Sequence, residues 1–552
     1  MRLLRRRCKS DLIQLFILVI FLNLLRSKME MRDVNDGTYL SEDDEISIDN
    51  VGALEVPNPN DKMEMGVVGD DQDAVNKVQR KQDSIPKYKE SRDPSCRGLR
   101  LVRRIDPITI VVPFCNEPLE VLLGVLRSIK DNTWKKMIYE IVFIKGNCKG
   151  SLPLMDIEAA LTREYDEVVV ARAGSEKGIM EGRRKAPIYT AADQIVFVDV
   201  NCRFTPDWLR PLLEILAMSN NTIVSPMIET INPRTGKHEV PYNGSITGFD
   251  WHLRPRAIPL PQVYRSKLPT PFLSPAIPSP VFAIKKTFYI ALGTHDSAIS
   301  TWGPAQLELS LKTWLCNGNV LVVPCSRVRM PRSSLDFVSD YKNLLGYRRV
   351  AQVWMSVPQR QYVFRRRKDL LSIDAGNLQG LMKLKENLKC KPFDNYLSDI
   401  AMDVTKIFPL EEPRPFAAGQ IMSLIRKNIC VTSTGREGGH LLLATCNEKP
   451  GQLWSLDWKK RLKNNEELLC WTEDAKSKDA PFLEECSTAE TVPKDQIWTY
   501  EPDSGHIQNR QSMRCLAVKE NSDLLREEEC EDGKENQKWK FSVINHDLIS
   551  QE

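Results

Sequence analysis

The sequence predicts an α/β domain with a Rossmann-like, mainly parallel sheet, followed by an all-β module of three lobes and preceded by an apolar helix. Three observations carry this. Four β-rich runs alternate with helical stretches between Ile108 and Val200. Three cysteine pairs of nearly equal span, each followed by Gln-x-Trp, fill the carboxyl-terminal part. An apolar run from Leu12 to Leu25 follows a basic amino terminus.

At 552 residues the chain has room for two or three domains with their own cores. A charged fraction of 27% and a net charge of +4 are ordinary, so no nucleic-acid partner is expected. Residues 1–11, "MRLLRRRCKSD", form a basic flank read as a cytoplasmic tail. Residues 12–25 are apolar except Gln14 and Asn23 and, as a helix, span about 21 Å, short for a bilayer. A cleaved secretory signal and an uncleaved anchor both fit such a run. No small-x-small site follows it, and Arg2 and Arg5 to Arg7 precede it, which favours a single-pass signal-anchor of type II with a lumenal body. Residues 26–95 are polar and acidic and carry only two aromatics, Tyr39 and Tyr88, so they read as a flexible stem.

Residues 96–408 form the α/β domain. "ITIVVPF", "YEIVFIK", "EVVVAR" and "QIVFVDV" are buried-strand patterns, and "EPLEVLLGVLRSIKDN" keeps an apolar face at helical spacing. That order implies a mainly parallel sheet covered on both faces. Residues 417–548 repeat with a period of about 40–45 residues. The pairs are Cys430 with Cys446, Cys470 with Cys486 and Cys515 with Cys530, and the tripeptides carry Trp454, Trp498 and Trp539. One disulfide and one buried Trp per repeat suit units too small to hold a core alone, and they require an oxidising compartment. The sequons at Asn220 and Asn243 are glycosylation candidates that agree with a lumenal location.

The stretch "QIVFVDVNCRF" places Asp199 at the carboxyl end of a strand, where open α/β sheets hold ligands, with Asn201 two residues on. Cys115 and Cys148 end the first two strands. Free thiols are the simpler expectation; a disulfide there would cross the mouth of the ligand crevice.

Joined to a ricin-type β-trefoil lectin pattern, "PFCNEPLEVLL", "DVNCRFTPDWLRPLL", "ALGTHDSAISTWGPAQLELSLKTWLCNG", "CSRV", "YRRVAQVWM" and "LKCKPFDNYL" resemble the polypeptide N-acetylgalactosaminyltransferases from about Cys96 to the carboxyl end. That resemblance implies a glycosyltransferase A-type domain, a Golgi membrane location, UDP-GalNAc as donor with Mn²⁺, and disulfides Cys96–Cys325 and Cys316–Cys390. It also shows what has changed. The family's metal-ligand positions are Asp199, Asn201 and Met330; a neutral amide and a soft thioether suit Mn²⁺ poorly. The acceptor-side carboxylate is Ala305, and the paired acids near the uracil read Lys145-Gly146. The glycines beside the donor sugar read Ser279-Pro280, and the two donor-side arginines read Glu181 and Arg183, with Glu181 expected to face the diphosphate.

Arg203, Arg327, Arg329 and Arg332 cluster in sequence about the former metal positions. They offer either a metal-free diphosphate clamp or a solvated basic rim. In the lectin repeats the sugar-binding aspartate is replaced by Thr432, Thr472 and Ala517, with Asp474 near the second position. Two functional expectations follow. One is an inactive family member, a pseudoenzyme that binds proteins, glycopeptides or active relatives and needs no cofactor, Mn²⁺ entering only if the degenerate site still holds it. The other is an active GalNAc transferase with an altered, metal-independent mechanism.

Overall fold

A computed structural model describes residues 92–549 apart from 98–104, 147, 149–152, 175–177, 232–237, 240–244, 332–340, 436, 448, 465–468, 475–479, 490, 520–521 and 523. The expected tail and anchor, most of the stem, Asn243 and Arg332 lie outside the described residues. No described helix is long and apolar enough to cross a membrane.

The first half alternates as its pattern predicts: β1 (Ile108–Phe114), α1 (Leu119–Asn132), β2 (Ile138–Lys145), α2 (Leu154–Glu164), β3 (Val168–Arg172), α3 (Ile179–Tyr189) and β4 (Gln194–Phe197). Then come β5 (Arg203–Phe204), α4 (Arg210–Met218), β6 (Thr222–Ile231), β7 (His238–Glu239), β8 (Ser245–Phe249), β9 (Pro255–Pro259), α5 (Gln262–Arg265) and β10 (Phe272–Leu273). The elements β11 (Phe282–Lys285), α6 (Lys286–Ala291), α7 (Trp302–Leu315) and β12 (Asn319–Pro331) complete the sheet layer.

The sheet runs β10-β12-β6-β11-β4-β1-β2-β3. β1, β2, β3 and β4 are mutually parallel, while β11 runs antiparallel to both β4 and β6. β1 is buried along its whole length, as a strand covered on both faces must be. Alternate residues serve opposite layers. Ile110, Val112 and Phe114 pack with Leu122, Val125, Leu126 and Ile129 of α1 and with Leu212 and Leu216 of α4. Val111 joins Phe197, Phe282 and Tyr289 on the other side. From β1 the strand order proceeds to β2 and β3 on one side and to β4 on the other. The reversal places a ligand crevice beyond the carboxyl ends of β1 and β4.

The second core belongs to the trefoil. Trp454, Trp498 and Trp539 are each essentially buried, and their indole N–H groups donate to the carbonyls of Val431, Trp471 and Leu516, the residues one past each repeat's first cysteine. Gln-x-Trp therefore ties each repeat to its own disulfide end, and this explains the period. The trefoil's second repeat meets β9 through Arg256, which pairs with Glu485 at 2.6 Å, while the Thr488 hydroxyl donates to the Ala257 carbonyl.

Candidate functional site

The crevice is assembled from the ends of β1, β2 and β4, the start of α3, the Ser279-Pro280 turn and the first turn of α7. β4 stops at Phe197, earlier than the apolar run to Val200 suggested, because the backbone turns and the Cys202 N–H donates to the Asp199 carbonyl. Asp199 Oδ1 accepts the Asn201 backbone N–H at 2.9 Å and the Asn201 side-chain amide at 3.2 Å. The carboxylate thus caps its own turn, and Asn201 turns its N–H toward it. Met330 packs against the apolar layer that includes Val328 and Phe204. The three positions offer one engaged carboxylate, a neutral amide and a soft sulfur, so Mn²⁺ does not fit them. Among the described residues no three His, Cys, Asp or Glu side chains gather as a metal site. Ala305 is fully buried in α7 and presents only a methyl group.

The end of β2 is closely packed. An ideal Cβ on Gly146 would stand 2.6 Å from the Gly178 carbonyl oxygen and 2.8 Å from its carbon, so the loop before α3 occupies the space a side chain there would need. Gly178 itself has φ +68° and ψ −152°, open in practice to glycine alone. Gly146→Ala should therefore lower stability by about 1–3 kcal/mol, read as a lower denaturation midpoint, because backbone must move. An unchanged midpoint would show that this contact is slack.

Arg183 is essentially buried. Its guanidinium lies 4.6 Å from the Trp302 ring centroid and 5.3 Å from that of Phe197, and Nη2 donates to the Pro280 carbonyl at 3.0 Å. Burial pushes its pKa down to about 10 against the opposing charge of Asp199, so it stays a cation at neutral pH. Glu181 is buried and forms ion pairs with Arg184 at 2.5 Å and Lys185 at 3.3 Å. Its pKa is held below the usual range: burial alone would raise it, and the two cations prevail. Cys115 and Cys148 face each other, with Cα atoms 5.6 Å apart, a spacing that a disulfide can bridge. The pairs Cys96–Cys325 and Cys316–Cys390 and the three lectin pairs are disulfide-bonded.

Arg203 and Arg329 stand opposite each other across β5 and β12, and each described arginine about the metal positions is engaged within the chain. Arg203 Nη1 donates to the Cys202 carbonyl at 2.8 Å, Arg327 Nε to the Pro324 carbonyl at 2.9 Å, and Arg329 pairs with Glu229 at 3.2 Å. In the trefoil, Thr432 and Thr472 turn inward: their hydroxyls accept the side-chain amides of Gln452 and Gln496 at 2.9 and 3.1 Å. Ala517 is fully buried, and Asp474 is exposed beyond the end of its strand. Asn220 is exposed at the turn before β6, its carbonyl oxygen accepting from Lys285 at 2.5 Å.

Fold and site together define an α/β glycosyltransferase-type domain carrying a ricin-type lectin module. Residues 109–270 match the glycosyl transferase family 2 domain, and residues 417–539 match the ricin-type beta-trefoil lectin domain. The chain is 28% identical to polypeptide N-acetylgalactosaminyltransferase 10 of Homo sapiens over 482 residues, 83% of this chain and 77% of that one. It is 27% identical to N-acetylgalactosaminyltransferase 6 of Drosophila melanogaster over 479 residues, 84% of this chain and 70% of that one. Its fold is that of GalNAc-T7, crystallised with UDP, GalNAc and Mn²⁺, with a TM-score of 0.58 at 23% identity, covering 89% of this chain and 94% of that one. The chain belongs to the polypeptide N-acetylgalactosaminyltransferase family.

Proposed function

We propose that this chain is a catalytically silent member of its family, a lumenal protein of the Golgi membrane that binds protein or glycopeptide partners and does not transfer GalNAc. The observation that carries the reading is Arg183. Of the two donor-side arginine positions only this one keeps its arginine, and its guanidinium is buried against Trp302 with Nη2 given to the Pro280 carbonyl of its own chain, while Nη1 has no hydrogen-bond partner among the described residues. A diphosphate leaving group needs hard cationic stabilisation as charge develops. Asp199 caps a turn, Met330 packs into the core, Ala305 offers no carboxylate and Gly146 is covered by Gly178. The metal-free alternative would need Arg203, Arg327 and Arg329 to form one clamp, and each of them is already engaged by a carbonyl or carboxylate of its own chain.

Titration of the purified lumenal protein with UDP-GalNAc and Mn²⁺, with transfer to a Thr-rich peptide as the second readout, tests this. No turnover and no micromolar donor binding are expected. Asn201→His, Met330→His and Ala305→Glu introduced together should still give no transfer, because the donor-side positions Gly146, Glu181 and Ser279-Pro280 remain unchanged. Turnover by the unmodified chain would sink the silent reading. The lectin scaffold supports partner binding through surfaces other than the three sugar positions, since Thr432 and Thr472 are held by their own Gln-x-Trp motifs.

A further inference from the structure

We propose that β3 is a dimerisation edge, where two copies of this chain pair their β3 strands antiparallel about a two-fold axis at Val169. β3 ends the strand order of its sheet, and among the described residues it pairs with β2 alone. The Ile141 N–H donates to the Glu167 carbonyl and the Ala173 N–H to the Lys145 carbonyl, both at 2.9 Å. Alternate residues of a parallel pair face the neighbour, so Glu167, Val169, Ala171 and Ala173 turn their backbone groups to β2. Val168 and Val170 therefore turn theirs outward, and no group among the described residues bonds them. Arg172 also faces out, but its carbonyl already accepts the Tyr189 hydroxyl at 2.8 Å.

An edge strand is ordinarily blunted by proline, lysine, a bulge or extreme shortness. β3 reads Val-Val-Val-Ala-Arg and keeps an unbroken register with β2 over all five residues. The other end of the strand order is different: β10 is only two residues long. An open valine edge of this kind takes up an added strand through main-chain bonds.

The free groups and the charges select a second copy as that strand and set its register. Pairing through the free groups puts Val168 opposite the partner's Val170, and Val170 opposite the partner's Val168. Val169 then meets the partner's Val169 on the axis, as a non-hydrogen-bonded pair with Cα atoms about 4.5 Å apart. Val169 is 43% exposed in the single chain, so the pairing buries apolar surface. The same register sets Asp166, exposed just before β3, opposite the partner's Arg172, and symmetry repeats that contact. Neither Asp166 nor Arg172 has an ion-pair partner among the described residues of its own chain. A register centred on Val170 would need the Arg172 carbonyl that Tyr189 occupies and would leave Asp166 unopposed.

Sedimentation equilibrium of the purified lumenal protein, from micromolar to hundred-micromolar concentration, should show a monomer–dimer equilibrium. Val169→Lys sets two like charges on the axis at an exposed position. It should leave the circular dichroism spectrum unchanged and weaken dimerisation about tenfold or more. Arg172→Asp, which faces the partner's Asp166, should weaken it about tenfold, and adding Asp166→Arg should restore it. A monomer over the whole range, a dimer that Val169→Lys leaves as tight, or a double variant no tighter than Arg172→Asp overturns the proposal. The silent-transferase reading is untouched by any of these results, because it falls only if GalNAc is transferred.

Discussion

Lys312→Met should destabilise the glycosyltransferase-like domain by about 3–5 kcal/mol, the largest effect expected of a single change away from the crevice. Lys312 is fully buried in α7. It forms an ion pair with Glu308 one turn earlier and donates to the Thr294 carbonyl at 2.8 Å. Glu308 Oε2 also faces His295 Nδ1 at 3.4 Å, and all three side chains are almost wholly out of water. Burial alone would raise the Glu308 pKa, but the Lys312 charge holds it below the usual carboxylate range. Burial pushes His295 below its ordinary value, so it stays neutral and donates through Nδ1. Methionine keeps most of the lysine volume but leaves the Glu308 charge without its cation. The cost should appear as a lower denaturation midpoint and as lost amide protection over β11 and α7. Glu308→Gln combined with Lys312→Met should recover much of it, because a well-packed neutral pair needs no counter-ion. If the single and double variants lose stability equally, the ion pair is not what holds α7.

The same helix shows what this chain has kept and what it has dropped. Glu308 and Lys312 point into the core and pair with each other, while Ala305, one turn earlier, is buried and offers only a methyl group. The trefoil scaffold is likewise held from within, by Trp454, Trp498 and Trp539 and by the Gln-to-Thr bonds of Thr432 and Thr472.

Much of this was legible in the sequence because it is periodic. β1 occupies the same seven residues as its apolar run, α1 begins two residues inside its predicted stretch, and the cysteine and Gln-x-Trp spacing located each trefoil repeat. The early end of β4 was not legible, since Val198 and Val200 stay buried after the strand has turned. The ion pairing of Glu181 was not anticipated although a signal existed: Arg184 and Lys185 stand three and four residues on, on the same helical face. The approach of Gly178 to Gly146 had no local signal, and the meeting of Cys115 and Cys148 was signalled only by their places at the ends of neighbouring strands. They depend on where loops distant in sequence meet, which periodicity does not encode.

Glu527 sets the second large expectation, a trefoil whose stability falls as pH rises. Its carboxyl is buried on the strand Leu525–Glu529, receives the Ser512 hydroxyl at 3.3 Å and lies near the buried Glu473, both of whose oxygens lack a hydrogen-bond donor among the described residues. Burial first, and then the Glu473 charge, push its pKa up to about 8; Ser512 and Arg514 pull the other way without prevailing. The folded chain therefore keeps a proton that the unfolded chain releases near 4.5. With more protons bound in the folded state, stability is fully present below about 4.5 and is lost as pH rises through about 8. Inside that window the slope approaches 1.4 kcal/mol per pH unit, the value for one proton. Glu527→Gln has the shape of the protonated acid and offers an N–H to Glu473 at any pH. It should therefore flatten the profile and make the lectin module more stable than the unmodified chain at pH 8.5. Thermal midpoints followed from pH 5 to 8.5 on the two proteins decide the matter. Parallel profiles would mean that Glu527 and Glu473 do not hold a proton between them, and the trefoil would then carry two buried carboxylates with no account of how they are tolerated.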